Sequence, residues 1–134
     1  MKTPIADRRS QPRLFHPQAY VFVSEALKTA QELVTRQMVN DRLDETHHIS
    51  GPELLEGVRV LGLRLYGLMA PVVFRHWGLQ STDDFGRIVF EMIDHGEMRK
   101  SETDQLSDFH DVYAIDETFA HDYKIDVSKA FRSL

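Results

Sequence analysis

The chain has 134 residues, of which 42% are hydrophobic and 28% charged, and its formal net charge is −5. These values are typical of one globular domain that is large enough to fold around its own core. The chain has no cysteine, which excludes disulfide scaffolds, thiolate zinc sites and cysteine nucleophiles. Because no signal peptide and no stretch near the ~20 apolar residues of a membrane span is recognised, we expect a cytoplasmic protein.

The N-terminal residues predict a flexible basic arm over residues 1–16, followed by a single globular domain over residues 17–134. The arm mixes proline and polar residues without periodicity, which is typical of a segment that does not pack. Its cationic residues are Lys2, Arg8, Arg9 and Arg13.

Two helices are predicted in the first half of the domain. The first runs from about Pro17 to Met38, because apolar residues recur there at spacings of three and four. The second begins with a capping box formed by Ser50 and Glu53. It breaks near residues 67–70, because Pro71 removes a backbone donor and disfavours helix before it.

The second half continues with shorter elements. A helix over residues 71–77 ends at Gly78 in a left-handed conformation, and a third long helix occupies residues 82–95. Acidic residues in its first turn favour the positive end of its dipole. Beyond it, Met98–Thr103 and Phe109–Ile115 predict a β-hairpin, because apolar and polar residues alternate from residue 109. A short helix over residues 117–123 follows.

This order predicts a mainly α fold with a small β-hairpin, an α+β class. The helical core and hairpin resemble a winged helix, in which the helix over residues 82–95 takes the recognition position and the hairpin forms the wing. A plain helical bundle with an appended hairpin is the competing arrangement.

Negative charge is concentrated in the second half of the chain. From Asp83 to Lys124 there are twelve Asp or Glu and four Lys or Arg, a net −8. A surface of this sign repels phosphate and favours a basic protein partner. We therefore expect a non-catalytic interaction or regulatory module. Its predicted contact residues are Asp83, Asp84, Arg87, Glu91, Asp94, Glu102, Asp104, Asp108 and Asp111. The alternative is a winged-helix protein that binds nucleic acid through its basic arm.

No motif in the sequence indicates catalysis, a metal or a cofactor. The pairs His110-Asp111 and His121-Asp122 lack metal-ligand spacing, and no nucleophile elbow occurs. We expect neither a catalytic residue nor a bound metal, and no membrane contact.

Several motifs together resemble a family of short uncharacterised proteins that is largely confined to planctomycete and verrucomicrobial bacteria. The resemblance covers about residues 17–123 and rests on the runs 49–51, 53–59, 67–70, 77–78, 84–90, 100–104, 108–109 and 112–113. It departs at Ala114-Ile115, where the family has an Asp-Phe pair. The resemblance implies a small cytoplasmic protein and supplies no substrate, cofactor or catalytic residue.

Overall fold

The computed structural model describes residues 13–37, 48–98 and 105–122. Its α-helices are α1 (Pro17–Gln37), α2 (Gly51–Tyr66), α3 (Ala70–His76), α4 (Thr82–Asp94) and α5 (Ile115–Asp122). Short 3-10 helices occupy Gly67–Met69 and Leu106–Phe109. The sequence predicted helices at all five α positions, with boundaries within two residues.

The predicted start of α2 is confirmed in detail. The backbone N–H of Glu53 donates to Ser50 Oγ at 3.2 Å, and the backbone N–H of Ser50 donates to Glu53 Oε1 at 2.9 Å. This reciprocal pair satisfies two backbone donors that the first helical turn otherwise leaves open. The capping box therefore fixes where α2 begins.

Helices α1 and α2 pack closely because α2 carries glycine at the contact. A Cβ atom built on Gly57 would lie 2.4 Å from the carbonyl oxygen of Ala26. No side chain fits against a backbone atom at that distance. Gly57 therefore sets the separation of the two helices.

A sharp corner separates α2 from α3, as Pro71 predicted. Gly67 has φ 54° and ψ −131°, a combination that is essentially restricted to glycine. Pro71 then lies in the first turn of α3, where a missing N–H breaks no helical hydrogen bond. Gly78 ends the corner region with φ 94°, which confirms the predicted left-handed cap.

An aromatic cluster joins the helices around Phe74 of α3. Its ring centroid lies 5.2 Å from that of Phe22 on α1, 5.3 Å from that of Phe85 on α4 and 5.6 Å from that of Phe119 on α5. Edge-to-face contacts of this kind add to the free energy gained by burying the rings. The cluster explains how the eight-residue α5 is held on the core.

The predicted β-hairpin is wrong. Within the described residues there is no strand: the backbone forms the 3-10 helix Leu106–Phe109, a turn, and then α5. The predicted first strand lies largely outside the described residues. The alternation from residue 109 still governs burial, because Phe109 and Ile115 are buried while His110 and Val112 are exposed.

The segment is not a strand because its backbone groups bond to a side chain of α4. Thr82 Oγ1 donates to the carbonyl oxygen of Phe109 at 2.7 Å and accepts from the N–H of Val112 at 3.2 Å. The ring of Phe109 covers Gly86 and Gly51, whose missing side chains make room for it. The segment with the alternating pattern thus packs on helices and not beside a strand. The predicted winged-helix arrangement needs a hairpin wing, so it is also wrong.

The sequence predicted no stretch that approaches a membrane span, but one helical stretch meets the length and composition of one. Within the described residues, Gly51–His76 is long and apolar enough to cross a membrane, and an 18-residue window of it has a mean hydropathy of 1.4. The core helix of a soluble protein meets the same criterion, and 39% of the window is buried inside the molecule. Length and composition therefore do not distinguish the two cases.

Candidate functional site

An acidic cleft lies where the first turns of α4 and α5 approach each other. Its volume is about 290 Å³, near the lower end of the range for small-molecule pockets. The lining residues are Gln80, Ser81, Thr82, Asp83, Asp111, Tyr113, Ala114, Ile115, Asp116 and Glu117. Four of them are carboxylates and none is a lysine or arginine, so a cation is the ligand that its charge favours.

The cleft is built by the same contacts that replace the predicted hairpin. Thr82 is fully buried, and its hydroxyl holds the backbone of residues 109–112 against the start of α4. Asp111 adopts φ 47°, a left-handed conformation that Asp tolerates better than most residues. This turn brings Asp111 to the first turns of both helices.

Two of the carboxylates already have a basic neighbour. Asp83 Oδ1 lies 3.1 Å from His110 Nδ1, and Asp116 Oδ1 lies 2.6 Å from Arg75 Nη1. The side chains of His110, Arg75 and Asp116 are all more than half exposed. Exposed pairs of this kind contribute little to stability, so an incoming cation can replace the partner at small cost.

The helix dipoles also act on the cleft. Asp83 lies in the first turn of α4, and Asp116 and Glu117 lie in the first turn of α5. The positive ends of both helices stabilise these carboxylates, which explains part of their presence structurally. Asp111 lies outside any helix and has no such explanation.

Tyr113 lines the cleft and connects it to α2. Its hydroxyl donates to the carbonyl oxygen of Leu55 at 2.7 Å. Burial raises the pKa of Tyr113 well above its ordinary value, and the negative charge of Glu56 raises it further. The phenol therefore stays neutral and serves as a fixed structural donor.

Other residues predicted for the acidic surface have structural roles instead. The carboxylate of Asp84 accepts from the N–H groups of Gln80 and Ser81 at 2.8 and 3.3 Å, and Arg87 pairs with it. Asp108 accepts from the N–H of Gln105 at 3.0 Å. These carboxylates cap helix starts, so their negative charge is partly compensated by hydrogen-bond donors within the fold.

Glu91 anchors the end of the predicted arm. It accepts from the hydroxyl of Tyr20 at 2.6 Å and from the N–H of Leu14 at 3.2 Å. Arg13 pairs with Glu97 and stacks over the ring of Tyr20, 4.6 Å from its centroid. Arg13, a residue of the predicted arm, is therefore paired with the domain.

The remaining predicted residues are dispersed or undescribed. Asp94 is exposed at the end of α4, distant in the chain from the cleft. Lys2, Arg8, Arg9, Glu102 and Asp104 lie outside the described residues. Of the seven predicted acidic-surface residues that the structure describes, two, Asp83 and Asp111, line the cleft.

Asp116 and Glu117 line the cleft, although the sequence did not predict them as site residues. Both lie in the first turn of a helix, where carboxylates are common because they favour the positive end of the dipole. Only the proximity of α5 to α4 makes them part of a site. Among the described residues, no group of three or more His, Asp or Glu side chains is arranged to hold a metal ion.

Comparison with known proteins identifies no relative: no protein-family model, no curated protein and no solved structure matches the chain.

Proposed function

We propose that this protein is a non-catalytic interaction module that binds a basic segment of a protein partner in the acidic cleft. The observation that supports the proposal is the convergence of Asp83, Asp111, Asp116 and Glu117 around one concave surface without a lysine or arginine in its lining. A guanidinium group offers five N–H donors in a plane and suits several carboxylates at once.

The small volume of the cleft favours one side chain of a partner over a large flat contact. Its volume of about 290 Å³ accommodates a single long side chain with its hydration. Its carboxylates steer a basic segment towards it through long-range attraction, which salt weakens. Binding is therefore expected to be fast and to depend strongly on ionic strength.

The test is the binding of a fluorescent arginine-rich peptide at low salt. A variant carrying Asp111→Asn and Glu117→Gln removes two charges from the cleft. Both side chains are exposed, and asparagine also tolerates the left-handed backbone of Asp111. We expect the peptide affinity to fall about tenfold, because each surface charge pair contributes up to about 1 kcal/mol.

The matched control removes the same net charge from α1. It carries Glu25→Gln and Glu32→Gln, both at exposed positions outside the cleft. An equal loss of affinity in the two variants would show that only net charge matters and would refute the cleft as the binding site. Absence of peptide binding to the unmodified chain at low salt would refute the proposal as a whole.

A further inference from the structure

His110 lies beside the acidic cleft and pairs with one of its carboxylates. Its Nδ1 atom is 3.1 Å from Oδ1 of Asp83, which lines the cleft. The side chain of His110 is 74% exposed, whereas that of Asp83 is 28% exposed. The imidazole can therefore exchange its proton with water while it stays within hydrogen-bond distance of the cleft.

The backbone around His110 is held in place, so its side chain starts from a defined position. The N–H of His110 donates to the carbonyl oxygen of Ser107 at 3.0 Å. Phe109 is buried, and its carbonyl oxygen accepts from Thr82 Oγ1 at 2.7 Å. Because Thr82 directly precedes Asp83 in the chain, the bond that holds the cleft wall also keeps the imidazole near the carboxylate.

The charge of His110 changes in a pH range in which carboxylates and guanidinium groups keep theirs. Histidine side chains gain a proton between about pH 8 and pH 5, whereas carboxylates ordinarily titrate near pH 4 and guanidinium groups above about pH 12. Arg75, the basic partner of Asp116, therefore stays charged. A neutral imidazole can still donate an N–H to Asp83, but only the imidazolium cancels its negative charge.

The other charged groups near His110 are mostly carboxylates. The 3-10 helix that precedes it packs against α4 and α2. The charged and titratable groups of these elements and of the cleft are Asp83, Asp84 and Arg87 in the first turns of α4; His48, Glu53, Glu56 and Arg59 before and along α2; Asp108 and Asp111 in the flanking chain; Tyr113; and Asp116 and Glu117 of α5. Arg87 pairs with Asp84 and Arg59 with Glu56. The imidazolium of His110 thus enters a negative surrounding and has Asp83 as its direct partner.

We propose that His110 makes binding in the acidic cleft sensitive to pH. Its charged form pairs with Asp83 and competes with the basic segment of the partner, whereas its neutral form leaves the charge of Asp83 to the partner. This inference rests on the proposed function, because it concerns regulation of the same site. Exposed ion pairs change an equilibrium by up to about fivefold, which sets the size of the effect.

The test compares the affinity of a fluorescent peptide at about pH 7.5 and about pH 5.5, at the same low salt. A peptide of arginine, glycine and serine with blocked ends has no group that titrates in this range. The chain has seven histidines, so acidification weakens its attraction for any cation, and the informative quantity is the difference between variants. His110→Gln removes the titrating group at an exposed position. It should reduce the loss of affinity on acidification about three- to fivefold.

The matched control is His95→Gln, which removes a histidine at the opposite end of α4, about 18 Å along the helix axis from Asp83. Its loss of affinity on acidification should stay close to that of the unmodified chain. His110→Lys carries a positive charge at both pH values and should bind the peptide more weakly than His110→Gln at about pH 7.5.

The outcomes separate this inference from the proposed function. If the unmodified chain binds the peptide but loses as much affinity on acidification as His110→Gln, the role of His110 is refuted and the cleft remains the binding site. An equal gain in His95→Gln would show that net charge alone causes the pH dependence and would also refute it. Absence of peptide binding already at about pH 7.5 would refute the proposed function and this inference together.

Discussion

At the scale of single residues, one buried hydroxyl holds the wall of the cleft. Thr82 is a donor to Phe109 and an acceptor from Val112, with distances of 2.7 and 3.2 Å. A buried backbone group that loses its partner costs more than the net gain from a hydrogen bond, because it cannot return to water. The shape of the cleft therefore depends on a residue that lies beneath its surface.

Replacing Thr82 with valine should lower the free energy of unfolding by about 2–4 kcal/mol. Valine keeps the volume but removes both hydrogen bonds, and each buried group left unpaired costs about 1–3 kcal/mol. Urea denaturation measures the loss. The conservative control Thr82→Ser retains the hydroxyl and should lose clearly less; equal losses in the two variants would show that packing of the methyl group, not the hydroxyl, is what matters.

At the scale of elements, the corner at Gly67 determines which side chains around α3 are buried and which are exposed. It turns the chain so that α3 packs its buried face, including Phe74, into the core and leaves Leu68 and Val72 outside. A continuous helix over the same residues would direct these side chains differently. The predicted break at this position, inferred from Pro71, is thus the local feature with the widest consequences.

Gly67→Ala should destabilise the protein by about 1–3 kcal/mol, because a Cβ atom is strained at φ 54° and ψ −131°. Thermal unfolding followed by circular dichroism measures the change. Leu68→Ala, one residue later and half exposed, serves as the comparison and should cost less. A neutral or stabilising effect of Gly67→Ala would mean that the corner relaxes into a regular helix.

At the scale of the whole molecule, buried tyrosines link stability to alkaline pH. Burial, followed by the hydrogen bond to Glu91, raises the pKa of Tyr20 to about 12. An unfolded tyrosine has a pKa near 10. The folded state therefore binds the proton more tightly, so its stabilisation is complete below about pH 10 and is lost as the pH rises towards 12.

The melting temperature should accordingly fall between about pH 10 and pH 12. Tyr20→Phe removes the hydroxyl that titrates and that donates to Glu91. This variant should therefore have a lower melting temperature at neutral pH. Its melting temperature should also fall less steeply between about pH 10 and pH 12. Differential scanning calorimetry across this range gives both values. An unchanged slope in Tyr20→Phe would show that other groups cause the alkaline loss.

The positions of the helices follow from the sequence alone, because the signals for them are local. The capping box at Ser50 and Glu53, the break at Pro71 and the left-handed Gly78 each act within a few residues, and all three are confirmed. The alternation from residue 109 correctly separated buried from exposed side chains at most positions. It could not show whether the backbone would find a neighbouring strand or another partner.

Long-range contacts determine which groups bond to this backbone segment, and they thereby form the candidate site. Thr82, 27 residues earlier in the chain, takes the hydrogen bonds that a strand would need, so the segment becomes a turn and α5 approaches α4. That approach gathers Asp83, Asp111, Asp116 and Glu117, while capping and pairing within the fold use Asp84, Asp108 and Glu91. Composition fixes how much charge a chain carries, whereas long-range contacts fix which charges remain available on the surface.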